Sequence, residues 1–279
     1  MSVTREQSAV LALTRATAGP WHHTARAVEA RGSALRLAGG DFAGLGEHDR
    51  AHAAGVVARL RAGDLDRAGE LIDACPATLV TVLDDDYPGN LAGAHNLQPF
   101  LWVSGRLREQ DRRSVAVADG GDAPAAARAL AAAGLTVVSG TPAVAEAALT
   151  AGGRAIAVTP GGLPEETRGP GAAVEECPFR PGAVRVCPFW PGTAVGGRTL
   201  AVAALVTSGL AAALYVTGAA DGDRAAMALS QGRHVFVPCG LPWTPRLAYR
   251  GGVTVVPGID ELVSQAVNLV DVTRPTTVF

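Results

Sequence analysis

The stretch Leu135-Thr-Val-Val-Ser-Gly140, followed by Gly152-Gly153-Arg154-Ala-Ile-Ala-Val158, decides the fold class. The first run is β-branched and ends on Ser139-Gly140. Residues 143–151 are alanine-rich and read as one short helix. Gly152-Gly153 stops that helix, and residues 154–158 start the next strand. Strand, helix and strand in that order make a βαβ unit, whose apolar strands belong in a parallel sheet buried on both faces. Such sheets bind ligands beyond the carboxyl ends of their strands, where helix N-termini offer unpaired N–H groups. Ser139 and Gly140 are therefore the first candidates for a binding site.

The same alternation continues on both sides. Residues 114–118 read as a strand, Gly120-Gly-Asp-Ala-Pro124 as a turn and residues 125–133 as a helix. Beyond Gly161-Gly162, residues 160–191 are rich in Pro and Gly and lack periodicity, which suggests a functional or interface segment. Gly196-Gly197-Arg198 precedes an apolar helix over 199–206, which Ser208-Gly209 should interrupt before a strand at 211–216. A helix at 223–231, strands at 234–238 and 254–256, and a last helix at 259–269 complete the pattern. The fold class is α/β: a doubly wound parallel sheet.

Ahead of the sheet lies a small helical module, residues 1–75. Thr4 is a suitable N-cap for a helix reaching residue 17, and Gly19-Pro20 breaks it. Further helices are expected over 24–30, 50–62 and 65–74. His22-His23 falls in the first turn region; adjacent histidines point apart and chelate poorly, so a solvated turn is expected. Thr78-Leu-Val-Thr-Val-Leu83 changes to a strand period. Asp84-Asp-Asp-Tyr-Pro88 reads as a solvated turn rather than a cation loop. Residues 106–113 read as a charged surface crossover. The sheet domain is expected over 76–265, with residues 266–279 as a C-terminal tail.

Composition narrows the function. The 279 residues are 48% hydrophobic and 18% charged, with a formal net charge of −2. This is a globular chain with no global electrostatic pull toward nucleic acid, so any basic surface must be local. All 24 basic residues are Arg, whose planar fork suits phosphate. Cys75, Cys177, Cys187 and Cys239 form no paired spacing, so neither a zinc site nor a disulfide framework is expected. A cytoplasmic location is expected from the few cysteines and the lack of a signal peptide. The apolar run 200–216 falls short of the ~20 residues of a membrane span. No Ser-His-Asp order, nucleophile elbow or metal spacing is found, so no catalytic residue, metal or cofactor is assigned.

The order of segments resembles the DNA-processing protein A (DprA/Smf) family. Tyr87-Pro88 is similar to the family's Tyr-Pro lead-in, and Phe100-Leu-Trp-Val-Ser-Gly105 to its following strand. Val137-Val-Ser-Gly140 matches its Val-Val-Ser-Gly turn, and 151–158 its Ala-Gly-Gly-x-x-Ile-Ala-Val strand, with Gly162-Leu163 next. Glu175-Glu-Cys-Pro178 resembles its Ser-Glu-x-Pro segment. Trp190-Pro191 with Arg198 resembles its Phe-Pro-x-Arg-Asn-Arg segment. Gln231-Gly-Arg-His-Val-Phe-Val-Pro-Cys-Gly240 matches its late Gln-Gly-Arg strand. The resemblance spans residues 5–265 and implies a helical (SAM/HhH-like) module before an extended Rossmann domain. The departures fall on the ligand side. The family's Gly-Ser-Arg after the first strand is Ala118-Asp119-Gly120 here, its Asn-Arg pair is Gly197-Arg198, and its Glu with Ser-Gly becomes Thr217-Gly218.

What the resemblance implies is a non-enzymatic protein that binds single-stranded DNA, presents it to a recombinase partner, and supports recombination or DNA uptake in natural transformation. The binding candidates are Ser139, Gly140, Gly162, Arg154, Arg185 and Arg198. Arg198 leads, because it opens an apolar helix where backbone N–H groups and a guanidinium can hold one phosphate. Trp190 and Trp243 are candidates for base stacking or loop packing. Two other readings stand beside it. One is a nucleotide-signal-binding subunit in a regulatory or phage-defence role. The other is a degenerate scaffold that acts through a protein partner. A homodimer through the later half of the Rossmann domain is expected, because the run 199–216 and its Pro-rich neighbour hold much apolar surface.

Overall fold

The computed structural model describes residues 4–163 and 182–272. The expectations for Glu175-Glu176-Cys177-Pro178 and for residues 273–279 lie outside the described residues.

Five helices come first: α1 (Arg5–Ala16), α2 (Trp21–Arg31), α3 (Ala34–Ala38), α4 (Glu47–Val57) and α5 (Asp64–Ala74). The Thr4 hydroxyl accepts from Gln7 N while the Gln7 side chain accepts from Thr4 N, a capping box that starts α1. Helix α1 is buried on two sides. Ala9, Val10 and Leu13 pack among the helices with Val28, Leu37 and Val56. Leu11 and Ala12 join the core against the sheet. Polar contacts reinforce both sides. The Glu6 carboxylate accepts from the Ser33 hydroxyl and from the first N–H groups of α3 at 2.7 and 3.1 Å. The Gln7 amide reaches Leu79 O and Asp84. Asp84 also accepts from Thr81 N and Thr81 Oγ1, so the first acidic residue of the triplet stabilises the turn.

The sheet is built from β1 (Thr78–Thr81), β2 (Phe100–Ser104), β3 (Ser114–Val117), β4 (Thr136–Ser139), β5 (Arg154–Val158), β6 (Val184–Cys187), β7 (Ala213–Tyr215), β8 (His234–Pro238) and β9 (Val253–Val256). Its order is β1-β2-β6-β5-β4-β3-β7-β8-β9. The pairs from β6 through β9 are all parallel, and β1 and β2 extend one edge antiparallel. The remaining helices are α6 (Gly89–Ala92), α7 (Ala123–Ala132), α8 (Pro142–Thr150), α9 (Gly197–Leu210), α10 (Gly222–Ser230), α11 (Thr244–Leu247) and α12 (Ile259–Val272). Helices α7, α8 and α12 cover one face of the sheet, and α9, α10 and the N-terminal helices cover the other. No helix among the described residues is long and apolar enough to cross a membrane.

Several expectations change. Strand β6 lies inside the Pro-rich run that read as irregular. Its Val184-Arg-Val186 alternation is short and bounded by Gly182 and Pro188, so the surrounding composition masked it. Helix α9 runs through Ser208-Gly209 without a break. The Ser208 hydroxyl meets Gln231 Oε1 at 2.5 Å, and the Gln231 amide donates to Leu205 O. Gly209 is needed for close packing, since a Cβ there would lie 2.6 Å from Leu91 Cδ1. Helix α12 continues through residue 266, where the tail was expected, and buries Ala266 and Val270. The crossover 106–113 also has an inward side: Asp111 is 7% exposed.

Asp111 accepts from Arg154 Nε at 2.5 Å and Arg154 Nη2 at 2.8 Å, and also from the Thr136 hydroxyl and Arg108 N. This largely buried pair ties the segment before β3 to the starts of β4 and β5. Removing one partner leaves a desolvated charge. Arg154→Ala should therefore lower unfolding stability by about 3 kcal/mol, read as a lower urea midpoint. An unchanged midpoint would show that the pair contributes nothing.

Candidate functional site

Strand order reverses around β3 and β7, which is the switch point where Rossmann-like sheets bind ligands. Here the two diverging loops touch. A Cβ on Gly120 would lie 1.5 Å from Thr217 Oγ1, so the crevice is filled by the chain itself. Asp122 accepts from the Tyr215 hydroxyl at 2.8 Å, and burial followed by this carboxylate pushes the Tyr215 pKa up. Asp221 accepts from Gly218 N and faces Arg224 at 3.6 Å.

What remains of the mouth is a cavity of about 200 Å³ lined by Asp119, Ser139, Gly140, Leu200, Thr207 and Arg224, among others. Its polar capacity is mostly spent. Ser139 is 1% exposed; its hydroxyl donates to Val117 O at 3.0 Å and accepts from Thr141 N at 3.1 Å. Small-molecule pockets usually run from about 300 to 1,000 Å³. The mouth falls below that range, and Asp119 at its rim disfavours phosphate.

Helix α9 is the wall between this mouth and a larger groove. The groove has a volume of about 830 Å³, and Trp21, His22, Gln98, Trp190 and Arg198 are among its lining residues. Trp21 and Trp190 each stand 5.7 Å from the Phe100 ring, forming an aromatic row. The Arg15 guanidinium lies 5.4 Å from the Trp190 ring centroid, within cation–π range. Arg198 is in the first turn of α9, exposed and without an ion pair among the described residues. The Thr199 hydroxyl accepts from Gly196 N and donates to Gly196 O, which fixes the start of the helix. Burial, then His23, His95, Arg26 and His52, pull the His22 pKa down. The positive charge of the groove therefore comes from arginine.

Gly162 shapes this groove without lining it. Its N–H donates to Thr193 O at 2.8 Å, and Gly192 N donates to Leu163 O at 2.7 Å. A Cβ on Gly162 would sit 2.0 Å from Trp190 O. The bare backbone lets the loop after β5 press against the turn that carries Trp190. Cys187 anchors the same region, with Sγ 3.3 Å from Gly161 O, and burial raises its thiol pKa.

The six sequence candidates therefore separate. Ser139 and Gly140 line the small mouth, and Arg198 lines the groove. Arg154 lies at the amino end of β5, opposite the mouth, and is held by Asp111. Arg185 sits mid-strand in β6 beside Ser104 and Ala157, facing away from Val184 and Val186 and so away from the groove. Sequence reading missed Arg15, Trp21 and His22 as neighbours of Trp190. Trp243 stays apart, its indole N–H donating to Ala219 O. His22 and His23 do not occupy a solvated turn. They belong to the first turn of α2, half-buried, with ring centroids 4.1 Å apart.

This architecture places the chain among extended Rossmann-like α/β proteins with an N-terminal helical module. It is similar to the crystal structure of DNA processing protein A (DprA) from Streptococcus pneumoniae. The TM-score is 0.67 at 19% identity, over 95% of this chain and 99% of that one. It is also similar to DNA processing protein A from Helicobacter pylori, whose structure concerns a single-stranded DNA binding mode. There the TM-score is 0.52 at 14% identity, over 69% of this chain and 97% of that one. No family model and no curated protein sequence matches the chain. At these identities the likeness establishes the fold, which is the fold the motif order implied.

Gly162→Ala should displace the Trp190 turn, with an overpacking cost of about 1–3 kcal/mol. The near-UV circular dichroism of the tryptophans should change while the far-UV spectrum holds. An unaltered near-UV spectrum would mean that the turn accommodates the methyl group.

Proposed function

We propose that this chain binds single-stranded DNA without catalysing a reaction, using the Trp21–Trp190–Arg198 groove rather than the sheet mouth. The observation that carries this reading is the meeting of two tryptophans and Arg198 in one groove, with Arg15 on the Trp190 ring in the adjoining pocket. Proteins that bind single strands combine aromatic faces for bases with cations for the backbone. The likeness in fold to DNA processing protein A, one example of which is described by its single-stranded DNA binding mode, supports the reading. On this reading the chain works in the cytoplasm as a homodimer. It presents a strand to a recombinase during recombination or DNA uptake.

The nucleotide-signal reading loses support because the mouth is so small. The scaffold reading is favoured by one observation: Val195 and Leu200, beside the start of α9, are 61% and 53% exposed. That apolar pair suits a protein surface, either a partner or a second copy.

Binding of an oligo-dT strand, followed by anisotropy across salt concentrations, tests the proposal. Each phosphate contact on a single strand contributes a log–log salt slope of about −0.7. Arg198→Ala should weaken binding by about 1–3 kcal/mol and flatten that slope by about 0.7. Trp190→Leu should cost about 1–3 kcal/mol with the slope unchanged. Arg106→Ala, on the exposed crossover, should change neither. If the unaltered protein binds no strand even at about 50 mM salt, where such binding is strong, the DNA reading fails and the scaffold reading replaces it.

A further inference from the structure

Five of the six histidines gather on one side of the helical module. Helix α2 contributes His22 and His23 in its first turn, and α4 contributes His48 and His52. Spacing of i and i+4 puts His48 and His52 on one face of α4. The His23 ring centre lies 5.5 Å from that of His48 and 5.4 Å from that of His52. His52 is oriented from below: its Nε2 meets the Thr24 hydroxyl at 3.0 Å, which in turn meets the Thr17 hydroxyl at 2.7 Å.

Beside this cluster, a nitrogen of His23, a nitrogen of His48 and a carboxylate oxygen of Asp49 lie within 4.8 Å of one another. A tetrahedral ion with metal–nitrogen bonds of about 2.0 Å holds its ligand atoms roughly 3.3 Å apart. The three groups therefore need to close by about 1.5 Å at most to meet that geometry. His48 is exposed and its ring can turn. Two imidazoles and one carboxylate suit zinc and other late first-row divalent ions, and suit magnesium or calcium poorly.

We propose that His23, His48 and Asp49 form a binding site for a divalent late transition metal such as Zn²⁺. The ion clamps the first turn of α2 to the first turn of α4. Because His22 lines the DNA groove, the clamp also stiffens one wall of that groove. The site itself stands on the three ligand positions and does not depend on DNA binding.

The test uses untagged full-length protein, stripped with a chelator and titrated with zinc chloride by calorimetry. Thermal unfolding is measured in parallel. The expected result is saturable binding of one zinc per chain, with a melting temperature that rises with zinc concentration as mass action requires. His48→Ala and Asp49→Asn should each weaken zinc binding at least about tenfold, while the melting temperature without metal stays the same. His95→Ala, whose ring neighbours only His22 in this cluster, should bind zinc as before. Magnesium chloride should produce no saturable heat. The proposal is overturned by any of three results: no saturable zinc binding, unchanged affinity in both the His48 and Asp49 variants, or magnesium binding as tight as zinc.

Discussion

Seven parallel strands, from β6 to β9 in sheet order, carry apolar side chains on both faces and need two layers of helix to exclude water. One layer is supplied by α7, α8 and α12, whose alanines lie close on the strands. The other layer is only partly supplied by α9 and α10. The N-terminal helices continue that layer over the antiparallel edge, where α1 packs on β1, through Leu11, Ala12, Ala68 and Ile72. The helical module is thus joined to the sheet by apolar burial as well as by chain. Its position brings Trp21 and Arg15 to the rim of the sheet beside Trp190. The groove is a consequence of how the second face is covered.

The βαβ unit at 135–158 was legible because its signals are local: β-branched runs, an alanine-rich helix and a glycine stop. The N-cap at Thr4 was legible for the same reason. Strand β6 was not, because its two inward valines sit among prolines and glycines, and its partners β2 and β5 are distant in sequence. The continuity of α9 depends on Gln231 and Leu91, neither of which a window around Ser208-Gly209 contains. The site shows the same limit. Residues 15, 21, 98, 190 and 198 meet only once the fold has formed. His22-His23 read as a poor chelate because adjacent histidines point apart; the proposed site uses only His23 of the pair, and its partners, His48 and Asp49, come from another helix.

The departures from the resembling family's motifs fall at the ligand side of the sheet, and the structure gives them a physical meaning. Where the resembling family has an arginine after its first strand, this chain has Asp119-Gly120. Gly120 lets that loop rest directly on Thr217. Without an arginine there the crevice lacks a cation, and with the loops closed it lacks space. Both features act against an anion at the switch point.

Arg154 and Arg198 show why the residue type alone could not locate an anion-binding surface. Both are arginines beside glycine pairs at the start of a regular element, and in sequence they look equivalent. Arg154 is paired with a carboxylate that is itself 7% exposed. To hold a phosphate it would first have to abandon Asp111, leaving a buried charge at a cost of about 3–5 kcal/mol. A charge-assisted contact returns only about 1.5–3 kcal/mol. The exchange is unfavourable, so Arg154 is structural whatever ligand approaches. Arg198 has no such partner among the described residues and gives up only water. Which arginine can bind an anion is decided by what each already holds.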